Sequence, residues 1–245
     1  MSTILATYNV KGGVGKTSAA VNLAALAAMD GAPTLLWDLD PQGASTYLFR
    51  VKPKIKGGGK ALVRGKSDAD ALIKGTDVEG LDLLPADFSY RHMDLALDAT
   101  KKPTARLARV LQPLDDEYTY TFLDCPPSVS LVSESVFEAA GVLLVPIIPA
   151  TLSSRTFDQI ERLLSEGGPR VMAFFSMVDA RKHLHREVME QLRDEQPAAL
   201  LDTAIPMAAD VERMGAQRRP VIESAPRSKA AAAYRALWEE IRSRL

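Results

Sequence analysis

Lys11-Gly12-Gly13-Val14-Gly15-Lys16-Thr17 places two lysines, three glycines and a hydroxyl in one short run. Glycines leave room for successive backbone N–H groups to turn inward as an anion nest. A helix opening near Lys16 adds the positive end of its dipole to the same point. Lys16 is then placed to reach the β- and γ-phosphates of a nucleotide, and the Thr17 hydroxyl to ligate Mg²⁺. The strict pattern G-x-x-x-x-G-K-[ST] is not met, because the residue five before Gly15 is Val10. The context is nevertheless that of a phosphate loop: the apolar run Ile4–Tyr8 precedes it and a helical stretch from Ser18 to Met29 follows.

Two acidic segments belong with this loop. The strand Thr34–Asp38 runs into Leu39-Asp40-Pro41-Gln42-Gly43, and acids at a strand's C-terminal end face the crevice where open α/β sheets bind ligands. Tyr118–Pro127 reads as a buried strand ending in Asp124, whose carboxylate can hold Mg²⁺ through water beside a nucleotide. Cys125, the only cysteine, reads as a small buried residue rather than a nucleophile, since no histidine lies near it in sequence.

These segments resemble the deviant Walker A loop, first switch and Walker B strand of the ParA/MinD family of P-loop ATPases, and the chain is identified as a ParA-like member. The resemblance covers nearly the whole chain and is most specific at residues 11–17, 38–43 and 118–127. It implies an ATP-sandwich homodimer in which Lys11 reaches the partner's phosphates, and an Asp40 that helps orient the attacking water and couples hydrolysis to the metal. Lys11, Lys16 and Asp40 are thus the catalytic candidates. Thr17, Asp40 and Asp124 are the candidates for Mg²⁺. The nucleotide candidates are Lys11, Gly12, Gly13, Val14, Gly15, Lys16, Thr17 and Ser18, with Met177 and Pro206 cradling adenine.

The resemblance also implies ATP rather than GTP, and no guanine-reading N-K-x-D segment is present. Turnover to ADP and phosphate is expected to be weak alone and stimulated by an adaptor or ParB-like activator. In ParA-type relatives basic residues of the C-terminal third form a nonspecific DNA surface, which here points to Arg213, Arg218, Arg219, Arg227 and Lys229. Arginine on phosphate binds without reading sequence and weakens with salt. The implied role is to position or partition a cargo: a chromosome, a plasmid or a protein complex. A MinD-like positioning ATPase bound to membrane is the alternative. A nitrogenase iron-protein relative needs two cluster cysteines per subunit, and this chain has one. A dethiobiotin-synthetase-like ligase lacks the Lys11 signature.

The elements that must hold these residues follow from hydropathy. Apolar runs alternate with helical patterns from end to end, the mark of a mainly parallel twisted sheet with helices on both faces. The expected strands are Thr3–Asn9, Thr34–Asp38, Leu81–Leu84, Tyr118–Leu123, Gly141–Pro146, Arg170–Met177 and Leu200–Ile205. The 245 residues suit a single α/β domain, residues 1–245, with an ordinary 47% hydrophobic content. A net charge of −1 confines any nucleic-acid contact to a local patch.

A basic leader ahead of a cleavable apolar segment is absent, and no apolar run is long enough to span a bilayer. A cytoplasmic location is expected, nucleoid-associated in the ATP state. The basic stretch from Arg50 to Lys66 reads as a flexible solvated loop, followed by a short helix over Ser67–Lys74. In Leu84–Arg91, polar residues can cap a helix continuing through Met93 and Leu97. His183 and His185 read as surface residues of a helix start. The last helix, Ser228–Leu245, carries Tyr234, Leu237, Trp238, Ile241 and Leu245 on one face, expected to cover the sheet rather than meet a membrane.

Overall fold

The structure, a computed structural model, describes residues 2–164 and 167–245. In chain order the elements are β1 (Thr3–Thr7), α1 (Lys16–Met29), β2 (Thr34–Asp38), α2 (Ala44–Leu48) and α3 (Gly58–Val63). Then come β3 (Lys74–Gly75), β4 (Leu81–Leu84), α4 (Met93–Asp98), α5 (Arg106–Leu111), β5 (Tyr120–Asp124) and α6 (Leu131–Ala139). The second half holds β6 (Val142–Ile147), α7 (Ser153–Leu163), β7 (Arg170–Val178), α8 (His183–Glu195) and β8 (Leu200–Pro206). Short helices α9 (Ala209–Glu212), α10 (Met214–Gln217) and α11 (Val221–Ser224) lead to α12 (Lys229–Arg244).

Among the described residues the strands form one sheet in the order β3-β4-β2-β5-β1-β6-β7-β8. All pairings are parallel except that of β3 with β4. β1 lies between β5 and β6, where the order of strands turns back on itself, and such a switch point opens a crevice at the strands' C-terminal ends.

Side-chain alternation explains the layers. Leu5, Leu36, Phe122 and Leu144 face one core with α1, α11 and α12, while Ala6, Trp37, Leu123 and Leu143 face the other with α3 to α8. Both faces are covered, so the strands read as continuous apolar runs. α1 is nearly sealed, with alanines 19, 20, 24, 25, 27 and 28 buried, small enough for the helix to lie close on the sheet. Asn22, fully buried in it, donates to Ser18 C=O at 2.8 Å and accepts from Ile222 N–H at 3.3 Å, tying α1 to α11.

The last helix covers the sheet: Tyr234, Leu237, Trp238 and Ile241 are buried, and Trp238 packs edge-on against Tyr120 at 5.1 Å. Leu245 alone of that stripe stays exposed. No described helix is long and apolar enough to cross a membrane.

Three expectations need correction. The stretch from Arg50 to Lys66 is not a flexible loop, because it contains α3 and buries Ile55, Leu62 and Val63 in the core. Ser67–Lys74 yields only a 3-10 turn at Asp70–Leu72, and Lys74 belongs to the antiparallel edge strand. His185 is buried, its Nδ1 accepting from Asp179 N–H at 3.1 Å, whereas His183 is exposed and pairs with Glu187.

Candidate functional site

Parallel register brings the chemistry together. Asp124 lies level with Thr7 on one side and with Asp38 on the other, so the ends of β1, β2 and β5 share one rim. The phosphate loop leaves β1 at this rim. Asn9, buried beneath it, donates to Pro146 C=O and accepts from Lys11 N–H, both at 2.9 Å, which fixes the loop's first turn to β6. Gly13 and Gly15 have φ of 71° and 95°, conformations that residues with a Cβ rarely adopt. At Gly15 a Cβ would also stand 2.8 Å from Ser176 Oγ.

The two lysines differ in kind. Lys16 is buried, and its Nζ donates to Lys11 C=O at 3.0 Å. Burial pulls the Lys16 ammonium below its ordinary range, and the charges of Asp124, Cys125 and Asp40 oppose that shift. Lys11 is exposed at the loop's outer edge.

The carboxylates form a graded set. Asp38 is fully buried and accepts from Thr46 N–H at 2.8 Å, Thr46 Oγ1 at 2.7 Å and Asp40 N–H at 3.2 Å. Asp124 is fully buried; its Oδ2 accepts from Ser45 Oγ at 2.7 Å, while Oδ1 has no hydrogen-bond partner among the described residues. Burial raises both above the usual carboxylate range, with Asp124 adding repulsion at Asp38. Ser45 and Thr17 hydroxyls act in the opposite direction at Asp124. Asp40 is half-exposed, its Oδ1 accepting from Gln42 N–H at 2.9 Å in a turn closed by Gly43 N–H on Asp40 C=O.

Thr46 extends this network outward. Its hydroxyl accepts from Ala86 N–H at 2.9 Å while donating to Asp38, so α2 is pinned to the segment after β4. Asp87 caps the next turn by accepting from Ser89 N–H at 2.8 Å, and it also accepts from Ile55 N–H at 2.9 Å. Cys125 is buried, and burial raises its thiol well above the ordinary value, as befits an inert side chain.

A pocket opens on the other side of Gly15, lined by Ser18, Ser176, Met177, Pro206 and Tyr234 among others. Met177 holds φ of 55°, strained for a residue with a side chain. Met177 and Pro206, both expected from sequence, therefore stand together beside the loop.

An AAA domain family model matches residues 2–166. The chain is 30% identical to the sporulation initiation inhibitor protein Soj of Bacillus subtilis, over 98% of this chain and 98% of that protein. It is 31% identical to the chromosome partitioning protein ParA of Caulobacter vibrioides, over 98% of this chain and 94% of that one. The chain belongs to the ParA/MinD family of P-loop ATPases. A crystal structure of cobyrinic acid a,c-diamide synthase from Mycobacterium smegmatis, with bound ATP analogue and magnesium, superposes at a TM-score of 0.82. That pair is 28% identical and covers 98% of this chain and 93% of the synthase.

The family's DNA candidates do not form one set here. Arg213 is paired with Asp210 at 2.9 Å. Arg218, at φ of 51°, lies over the Tyr47 ring at 4.3 Å and donates to Tyr47 C=O, which makes it a clamp between α10 and α2. Arg219, Arg227 and Lys229 are exposed. Sequence reasoning missed Asn9, Ser45 and Thr46. The one available signal was a polar residue directly behind an apolar strand or a glycine turn.

Proposed function

We propose that this ParA/MinD-family chain binds ATP with Mg²⁺, dimerises around two nucleotides, and holds DNA without sequence preference in that state. It positions a cargo by hydrolysis that an adaptor protein stimulates. The observation that carries the reading is the division between the two lysines: one buried and aimed into the nest, the other exposed at its edge. Lys16 is the group that meets the chain's own β- and γ-phosphates. Lys11 is free to meet those of a second copy.

The buried, unpartnered Asp124 Oδ1 beside Thr17 fits a hydrated divalent cation, because a carboxylate oxygen sealed from solvent with no donor is costly unless something positive faces it. Thr17 would hold the metal directly and Asp124 through water. Bound there, Mg²⁺ neutralises charge on the β- and γ-phosphates. Asp40, half-exposed where β2 ends, orients the attacking water, and the turn through Gln42 and Gly43 keeps its carboxylate at the rim. A cation supplied by the partner makes hydrolysis depend on dimerisation, as an arginine finger does. The apolar pocket lined by Met177 and Pro206 takes adenine. Arg219, Arg227 and Lys229 serve the DNA phosphates, with Arg213 and Arg218 supporting them from their paired positions.

DNA co-sedimentation with ATP, with ADP and without nucleotide tests the switch. Retention in ATP alone is the expected result, and equal retention in all three conditions refutes it.

A further inference from the structure

The basic stretch after α2 finds no use in the nucleotide site. No acid occurs between Arg50 and Lys66. Lys52, Lys54, Lys56, Lys60 and Lys66 are exposed, and none forms an ion pair among the described residues. Their backbone is nonetheless held firmly. Ile55 N–H donates to Asp87 and Gly59 N–H to Ser89 Oγ at 2.8 Å, and Ile55, Leu62 and Val63 are buried. The lysines are therefore presented by a fixed platform.

A half-open pocket lies between this platform and α5, lined by no residue of the phosphate loop. Leu62, Val63, Val110 and Pro113 give it an apolar floor. Arg106 and Arg109, one turn apart on α5, supply two guanidinium groups, against a single acid, Asp68. Arg106 Nε is sealed from solvent without a hydrogen-bond partner, and neither arginine is ion-paired among the described residues. Two guanidinium groups without an ion pair beside an apolar floor call for an anionic partner.

We infer that this pocket, with Lys56 and Lys66 beside it, docks an acidic peptide segment of a partner protein, with an aliphatic side chain on the apolar floor and a neighbouring carboxylate on the arginines. Two features select that occupant. A carboxylate matches the guanidinium fork, and Lys56 and Lys66 beside the pocket extend the same complementarity along a chain. No aromatic ring lines the pocket to stack a base, and a phosphodiester offers nothing to cover the floor. The site stands apart from the nucleotide and goes beyond the ATPase reading.

A displayed random-peptide library panned on the full chain, with counter-selection on the R106Q/R109Q double variant, tests this. Enriched sequences should set an aliphatic residue beside aspartate or glutamate. A synthetic peptide of the enriched sequence should bind the wild type about tenfold more tightly than R106Q/R109Q. The R106K/R109K variant should recover only part of that affinity, since lysine keeps the charge and loses the fork. K56E/K66E, which alters only exposed side chains, should weaken binding and flatten its salt dependence. The inference is overturned if nothing is enriched over R106Q/R109Q, or if enriched peptides carry no acids. It is equally overturned if these variants lose duplex DNA binding while peptide binding is unchanged, which would assign the face to nucleic acid.

Discussion

The two halves of the nucleotide site are built on different principles. The phosphate half is a polar lattice: Asn9, Lys16, Asp38, Ser45, Thr46 and Asp124 are all buried, and among the described residues Asp124 Oδ1 alone of their buried side-chain oxygens and nitrogens lacks a hydrogen-bond partner. The pocket proposed for the base is apolar, formed around Met177, Pro206 and Tyr234, with one strained backbone position. Charge stabilisation tolerates few residue types and little misplacement, whereas an aromatic base needs only a slot of suitable width. Substitutions in the first half should therefore be felt as lost binding or turnover, and those in the second as graded affinity.

Lys16→Ala should show the largest effect, lowering ATP affinity roughly a thousandfold or more in calorimetric titration while leaving the fold intact. If affinity fell only a few-fold, the phosphate half would be no more demanding than the base half. Gly15→Ala comes next, because Gly15 belongs to both. A left-handed alanine costs about 1–2 kcal/mol, and its Cβ would stand 2.8 Å from Ser176 Oγ. Its melting temperature should fall, and affinity for ATP and for adenosine should fall together.

A pH titration probes the buried carboxylates. Burial, with Asp124 beside it, holds the Asp38 carboxyl well above its ordinary value of 3.8. The folded state thus binds a proton that the unfolded chain releases. The stabilisation is complete below 3.8 and is lost as pH climbs through the raised folded value. Nucleotide-free protein should melt at lower temperature as the pH is raised across neutrality. Asp38→Asn should remove most of that slope. Mg²⁺ with nucleotide should reduce it as well, because a cation favours the ionised pair. The smallest effect belongs to Met177→Gly. Relief of the left-handed strain is worth about 1 kcal/mol in thermal stability, with ATP affinity weakened only a few-fold by the lost side chain.

The same contrast explains what could be read before the structure. Glycines followed by a lysine and a hydroxyl residue at fixed offsets behind a strand are the signature of a phosphate loop, and an aspartate ending a buried strand goes with it, so Gly15, Lys16, Thr17 and Asp124 stand out in the sequence. Most strands were also plain, because burial on both faces demands uninterrupted apolar runs, and Thr34–Asp38 and Leu81–Leu84 fall where hydropathy puts them. Asn9, Ser45 and Thr46 were hidden, since a lone polar residue near a turn looks like any cap until its buried partner is known. α3 was hidden by its own charges. Ile55, Leu62 and Val63 sit among lysines and three glycines, and the pattern gives no hint that Asp87 and Ser89, some thirty residues on, anchor that backbone. His185 was misplaced because its partner is a backbone N–H, which leaves no trace in residue type.

The proposed dimer depends on Lys11 acting in a second copy. The most direct measurement is the mass in solution, by light scattering, of Asp40→Ala protein with Mg²⁺ and ATP, beside the same variant carrying Lys11→Ala. The first should run as a dimer that ADP does not support, and the second as a monomer that still binds ATP. An Asp40→Ala protein that binds ATP and stays monomeric, or a Lys11→Ala variant that dimerises and hydrolyses as well as the parent, would contradict it.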